Sequence, residues 1–131
     1  MGMKRWIVPL LAAFFMCAGQ SALANQIRTV IAVNFITLEV VMQEPLTKEE
    51  TDPWAWQKVN GFTFNEGVQM TGAPVEVEMK GFPNTYHIPV DGLDIGYIYK
   101  ISYRGQKAKT FAVYEAQEMT EKYRNRYGDY F

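Results

Sequence analysis

From Pro74 onward the chain repeats short alternating segments at an interval of about 10 to 12 residues, and this cadence limits the folds open to it. Pro74 to Lys80 sets Val75, Val77 and Met79 against Glu76, Glu78 and Lys80. Side chains of a strand point alternately to its two faces, so this is the pattern of a half-buried strand with the valines and Met79 inward. Gly81-Phe82-Pro83-Asn84 turns the chain, and Thr85 to Val90 is a second strand with Tyr86, Ile88 and Val90 on one face. After Asp91-Gly92, Tyr97 to Tyr103 alternates again. Arg104-Gly105-Gln106 is a tight connection, and Lys109 to Tyr114 returns as the partner of a hairpin. Evenly spaced short strands separated by turns predict an all-β sandwich.

The upstream half is less regular. Ile27 to Gln43 is rich in β-branched residues, whose restricted χ1 disfavours a helix, and is long enough for one bent strand or two strands broken near Asn34. Glu44 to Pro53 is an acidic loop bounded by prolines. Trp54-Ala55-Trp56 follows, then a short strand over Lys58 to Phe64 interrupted by Gly61, and a turn at Asn65-Glu66-Gly67. The end of the chain differs in character. Glu115 to Arg126 holds good helix formers, with Ala116, Met119, Tyr123 and Tyr127 along one stripe, so residues 115–131 are expected to form a short helix or tail.

The first 24 residues have the three parts of a secretory signal: Lys4 and Arg5, an uncharged and mostly apolar run from Trp6 to Ala18, and Ala22-Leu23-Ala24, small at both positions that a signal peptidase reads. The apolar run is shorter than the ~20 residues a membrane-spanning helix needs. Cleavage after Ala24 leaves a mature chain of 107 residues, Asn25 to Phe131, that works in the periplasm or outside the cell with no membrane span. A lipoprotein signal has a small residue before its cysteine, whereas Cys17 follows Phe15-Met16.

Export has a consequence for stability. Cys17 is the only cysteine and leaves with the signal, so the mature domain has no disulfide and no thiolate metal site. Packing of β-branched and aromatic side chains must stabilise it, and ~107 residues suffice for one such core. The precursor has 13 Lys+Arg and 14 Asp+Glu; removal of Lys4 and Arg5 leaves 11 against 14, a mature net charge of −3. No basic field is present to hold a nucleic-acid backbone.

Thr85 to Val113 resembles the last three strands of a fibronectin type III or related immunoglobulin-like domain. In TYHIPVDGLDIGYIYKISYRG, Leu93 and Tyr99 stand six residues apart, as the end of one strand and the start of the next do in that family. Ile95 stands where the family usually has proline, and the early strands match poorly. The resemblance implies an immunoglobulin-like antiparallel β-sandwich over residues 25–114, with Tyr99 tied to the preceding connection as a tyrosine corner.

The residues offer no catalytic constellation. His87, the only histidine, alternates toward solvent between Tyr86 and Ile88, and the local sequence supplies no partner for it. Ser102, the only serine of the mature part, lacks a nucleophile-elbow motif. Asp91 with Asp94, or Glu49, Glu50 and Asp52, are oxygen ligands without a calcium-loop signature, and read as turn and solvated-loop chemistry. The expected function is therefore non-enzymatic and cofactor-free: a binding or scaffolding domain for an envelope or extracellular protein, with self-association through a sheet edge as a further possibility. Trp54 and Trp56 are one candidate contact. In an extended segment their rings point the same way, as a platform for a protein or, in the alternative reading, for a carbohydrate or an inhibited enzyme; the competing reading puts one or both in the core. The aromatic tail, with Tyr123, Tyr127 and Phe131, is the second candidate, against a helix that covers a sheet edge. A hydrolase with an acidic site is the remaining alternative.

Overall fold

The structure, a computed structural model, describes residues 24–115, 118 and 121–124. The leader up to Leu23, including Ala22, and the tail residues Tyr127 and Phe131 lie outside the described residues.

The β-branched opening run divides after Asn34 into β1 (Ile27–Asn34) and β2 (Thr37–Met42), joined by a turn at Phe35 and Ile36. Asn34 Oδ1 accepts the Ile36 N–H at 2.9 Å. The turn contains no residue of positive φ, and a register shift between Ala32 and Asn34 accompanies it. A bulge of this kind adds the twist that an ordinary turn does not supply to a hairpin. A single helical turn, α1 (Trp56–Val59), precedes β3 (Phe62–Phe64). Then come β4 (Val75–Val77), β5 (Thr85–Pro89), β6 (Tyr99–Tyr103) and β7 (Lys109–Phe111).

The strands form two antiparallel sheets, ordered β1-β2-β5-β4 and β3-β6-β7, so the described residues are all-β with little helix. One hydrophobic core draws on both. Leu38, Val40 and Met42 of β2 and Tyr86 and Ile88 of β5 meet Phe62 of β3, Tyr99, Ile101 and Tyr103 of β6, and Phe111 of β7. Aromatic contacts organise the second sheet: Tyr99 stacks on Phe111 with centroids 5.3 Å apart, and Phe62 tilts against Tyr103 at 4.9 Å. Edge strands β1 and β7 lie against each other, and Gln106 Nε2 donates to the Asn25 carbonyl at 2.7 Å.

Two expectations change. The segment from Trp54 is not extended. Asp52 Oδ1 accepts the Trp54 N–H at 2.7 Å and the Asp52 carbonyl accepts the Trp56 N–H at 3.0 Å, which winds the chain into α1 and shortens the following strand to Phe62–Phe64. Asp side chains favour such local bonds over a ladder. The inward assignment of Val75 and Val77 is also reversed. β4 pairs Val75 with His87 and Val77 with Thr85, on the face opposite the core, and Val75 is 59 % exposed. The register follows β5, whose Tyr86 and Ile88 are committed to the core, and a three-residue edge strand has too few side chains to oppose it.

Candidate binding surfaces

Trp54 and Trp56 part company. Trp54 is 92 % exposed, whereas Trp56 is buried at the start of α1. Because the backbone winds helically between them, their rings do not share one side of an extended segment, and they form no two-ring platform. The loop that carries Trp54 is firmly held. Leu46 N–H donates to the Tyr86 hydroxyl at 2.8 Å, and Thr47 and Glu50 exchange bonds between their side chains and backbone N–H groups at 2.8 and 3.2 Å.

Glu50 closes that loop onto the second sheet. The Tyr103 hydroxyl donates to Glu50 Oε2 at 2.5 Å, and Arg104 Nη2 donates to the same oxygen at 3.0 Å. Arg104 Nε reaches the Tyr103 hydroxyl at 3.0 Å and Nη2 the Val59 carbonyl at 3.4 Å. Burial alone pushes the Glu50 carboxyl up, but the bonds from Tyr103 and Thr47 and the charge of Arg104 outweigh it, and the group ionises below its ordinary range. Burial, and then the Glu50 carboxylate, push the Tyr103 phenol up. This cluster braces the loop: Glu50 is 4 % exposed and both of its oxygens accept hydrogen bonds, with the half-exposed Arg104 at its rim.

A second carboxylate is buried on the outer face of the first sheet. Glu39, 0 % exposed, stands directly across from His87, whose Nε2 is 2.8 Å from Glu39 Oε1. The Tyr123 hydroxyl donates to that oxygen at 2.7 Å. The histidine partner that local sequence does not offer comes from 48 residues upstream, across a strand pair. Tyr123 is half-buried there, and Glu118 and residues 121–124 are helical.

A group of exposed apolar side chains was not singled out by sequence reasoning. At the end of the molecule formed by the β1–β2 turn and the β5–β6 connection, Phe35, Ile36, Ile95, Tyr97 and Ile98 are between 43 and 63 % exposed. The two segments are fastened together, with Leu93 N–H donating to the Phe35 carbonyl at 2.8 Å and Val90 N–H to the Ile36 carbonyl at 3.0 Å. Below them Leu93 is buried, and the Tyr99 hydroxyl accepts the Asp94 N–H at 2.7 Å. Gly96, at φ 103°, gives the connection a conformation that side chains disfavour. Strand β6 starts only at Tyr99, so Tyr97 and Ile98, readable as strand by alternation, sit in the connection. The usable signal was the run Ile95-Gly96-Tyr97-Ile98, apolar at three of four positions and two residues after the Asp91-Gly92 turn.

Asp91 and Asp52, two of the remaining candidates, serve local turns. Asp91 Oδ1 accepts the Gln69 N–H at 3.1 Å, and Asp52 holds its turn as described. The edge of β3 is covered where Asn60 Oδ1 accepts the Phe62 N–H at 3.0 Å and Asn60 Nδ2 reaches the Phe62 carbonyl at 3.4 Å. β1 pairs with β2 within its own chain. Among the described residues no three His, Cys, Asp or Glu side chains are grouped to hold a metal ion, and no helix is long and apolar enough to cross a membrane. Compared with protein-family models, curated proteins and solved structures, the chain matches none.

Proposed function

We propose that the chain is an exported, non-enzymatic β-sandwich of immunoglobulin-like type that engages a protein partner in the cell envelope or outside the cell. The strand orders support the sandwich reading: β1-β2-β5-β4 and β3-β6-β7 correspond to the ABED and CFG sheets of a seven-stranded immunoglobulin constant-type domain. The bond between the Tyr99 hydroxyl and the Asp94 backbone, with Leu93 buried beside it, has the form of a tyrosine corner. Export rests on the leader, with cleavage after Ala24.

The observation that carries the binding reading is the apolar end, where Phe35, Ile36, Ile95, Tyr97 and Ile98 crowd onto two mutually bonded connections. Apolar patches of this kind, on backbone fixed by hydrogen bonds, mark contact surfaces more often than solvated ones. Immobilised mature protein should retain an envelope component, and the paired substitution Ile36→Asp with Ile98→Asp should reduce retention at least tenfold without changing the circular dichroism. Retention that survives the pair, or that never occurs, sinks the proposal. A second reading rests on Trp54, a single exposed ring on a braced loop, as the stacking surface for a sugar or the anchor of an inhibitor. It predicts that Trp54→Ala abolishes binding while the apolar-end pair leaves it intact.

A further inference from the structure

The two ends of the domain differ in chemistry. A third segment, the turn at Asn65-Glu66-Gly67, joins the two connections of the apolar end: Asn65 Oδ1 accepts the Lys100 N–H at 2.8 Å and Asn65 Nδ2 donates to the Ile98 carbonyl at 3.4 Å. Residues 34–37, 65–68 and 90–98 contain three acids, Glu66, Asp91 and Asp94, and no lysine or arginine. All three acids are exposed, on the same segments as the exposed Phe35, Ile36, Ile95, Tyr97 and Ile98. This end is an apolar surface with an acidic surround.

At the other end of the strands lies a cleft of about 390 Å³. β1 starts there at Ile27 and β6 ends there at Tyr103, and both line it, together with Gln26, Gln106, Lys107 and Lys109. Among the described residues that line it there is no acid. The segment Arg104 to Lys109 carries three exposed bases and no acid. Arg104 is committed to Glu50, so Lys107 and Lys109 set the charge of the rim. The eight residues of β1 separate the two ends by about 25 Å.

We infer that the apolar end of one copy docks on the basic cleft of a second copy, head to tail. The inference rests on the reading of the apolar end as a contact surface, and it names an occupant for that surface. Charge decides the pairing. Two apolar ends set face to face would bring their acids together, whereas the cleft meets the same acids with Lys107 and Lys109. Like charges across a contact disfavour it, and complementary ones select the partner and fix its register. The lysine stems and the edges of Ile27 and Tyr103 supply apolar surface for the protruding side chains. Because the two surfaces differ, the contact is heterologous, and association continues past a dimer instead of closing at it. The last copy keeps its apolar end free for an envelope partner. A contact built on so few side chains is at the small, weak end of protein interfaces.

Sedimentation of the full mature chain at concentrations up to about 1 mM tests the docking. The mean mass of the wild type should rise past that of a dimer. Ile36→Lys with Ile98→Lys, and separately Lys107→Glu with Lys109→Glu, should each weaken association by about tenfold or more with unchanged circular dichroism. An equimolar mixture of the two pairs should form a complex that stops at the dimer, since each variant keeps the one surface the other lacks. If the glutamate pair fails to fold, Lys107→Ala with Lys109→Ala takes its place. Wild-type protein that stays monomeric overturns the docking. So does association that the cleft pair leaves unchanged, or a mixture that stays monomeric. An envelope component retained by monomeric protein would defeat self-docking alone, whereas an apolar-end pair that alters neither self-association nor retention would defeat the contact reading as well.

Discussion

Glu50 and Tyr103 show how a buried acid is made tolerable in a domain without disulfides. The carboxylate receives the Tyr103 hydroxyl at 2.5 Å, Arg104 at 3.0 Å and the Thr47 N–H at 2.8 Å. Tyr103→Phe removes the shortest of these while leaving the ring against Phe62, so the expected loss is about 1–3 kcal/mol, seen as a lower denaturant midpoint with an unchanged slope. The pH dependence follows from the direction of each shift. Because Glu50 ionises lower in the folded state than its ordinary 4.5, its contribution is complete above that pH and shrinks as pH falls below it. Tyr103 is displaced upward, so its contribution holds below pH 10.0 and is lost as pH rises through the folded value. Acid titration of the unfolding midpoint should show a steeper decline below 4.5 in the wild type than in Tyr103→Phe; parallel curves would deny Tyr103 that role. The ties to the second sheet were not legible in Glu49-Glu50-Thr51-Asp52, which reads as a solvated acidic run, because Tyr103 and Arg104 lie more than fifty residues away from Glu50. Distance along the chain also hid the partner of His87, whereas the tie from Tyr99 to the preceding connection, which the resemblance implies, spans only the five residues back to Asp94.

At the level of elements, periodicity carried furthest where a strand has one committed face. β5 and β6 read correctly from Tyr86, Ile88, Ile101 and Tyr103, all buried. β4 reads equally well in isolation and yet turns its valines outward, because its register is inherited from β5. The platform reading of Trp54 and Trp56, which required an extended segment, fails for a different reason: a bond to the Asp52 side chain decides the conformation, alternation does not record that bond, and Trp56 is buried as the competing reading had it. Gly61 tests the join between α1, β3 and the β6–β7 turn. The Arg104 N–H donates to its carbonyl at 2.7 Å, and a methyl group placed there would sit 2.8 Å from Arg104 Cγ and 3.1 Å from Tyr103 Cε1. Arg104 itself has φ 50°, so its stem has little freedom to retreat. Gly61→Ala should therefore cost about 1–3 kcal/mol, the range of an overpacked site, although alanine is otherwise the less flexible residue in the unfolded chain. A thermal midpoint at or above that of the wild type would mean that Arg104 moves aside freely.

For the molecule as a whole, the core and the proposed contact surface lie in separate places. The core joins the two sheets, whereas the apolar end lies beyond it on the two connections that Phe35 and Leu93 fasten together. Ile36 and Ile98 are 58 and 63 % exposed, so replacing them with aspartate removes little buried area, and surface substitutions of this kind change stability by about 0.5 kcal/mol or less. The paired variant should unfold at nearly the wild-type denaturant concentration. Its solution behaviour should differ. An apolar end favours association, and two added carboxylates oppose it by both repulsion and desolvation. Sedimentation at rising protein concentration should show weaker self-association in the variant, the difference narrowing with salt only so far as repulsion contributes to it. If the variant instead unfolds several kcal/mol more easily, the two isoleucines belong to the support of the fold, and the end they occupy is no separate surface.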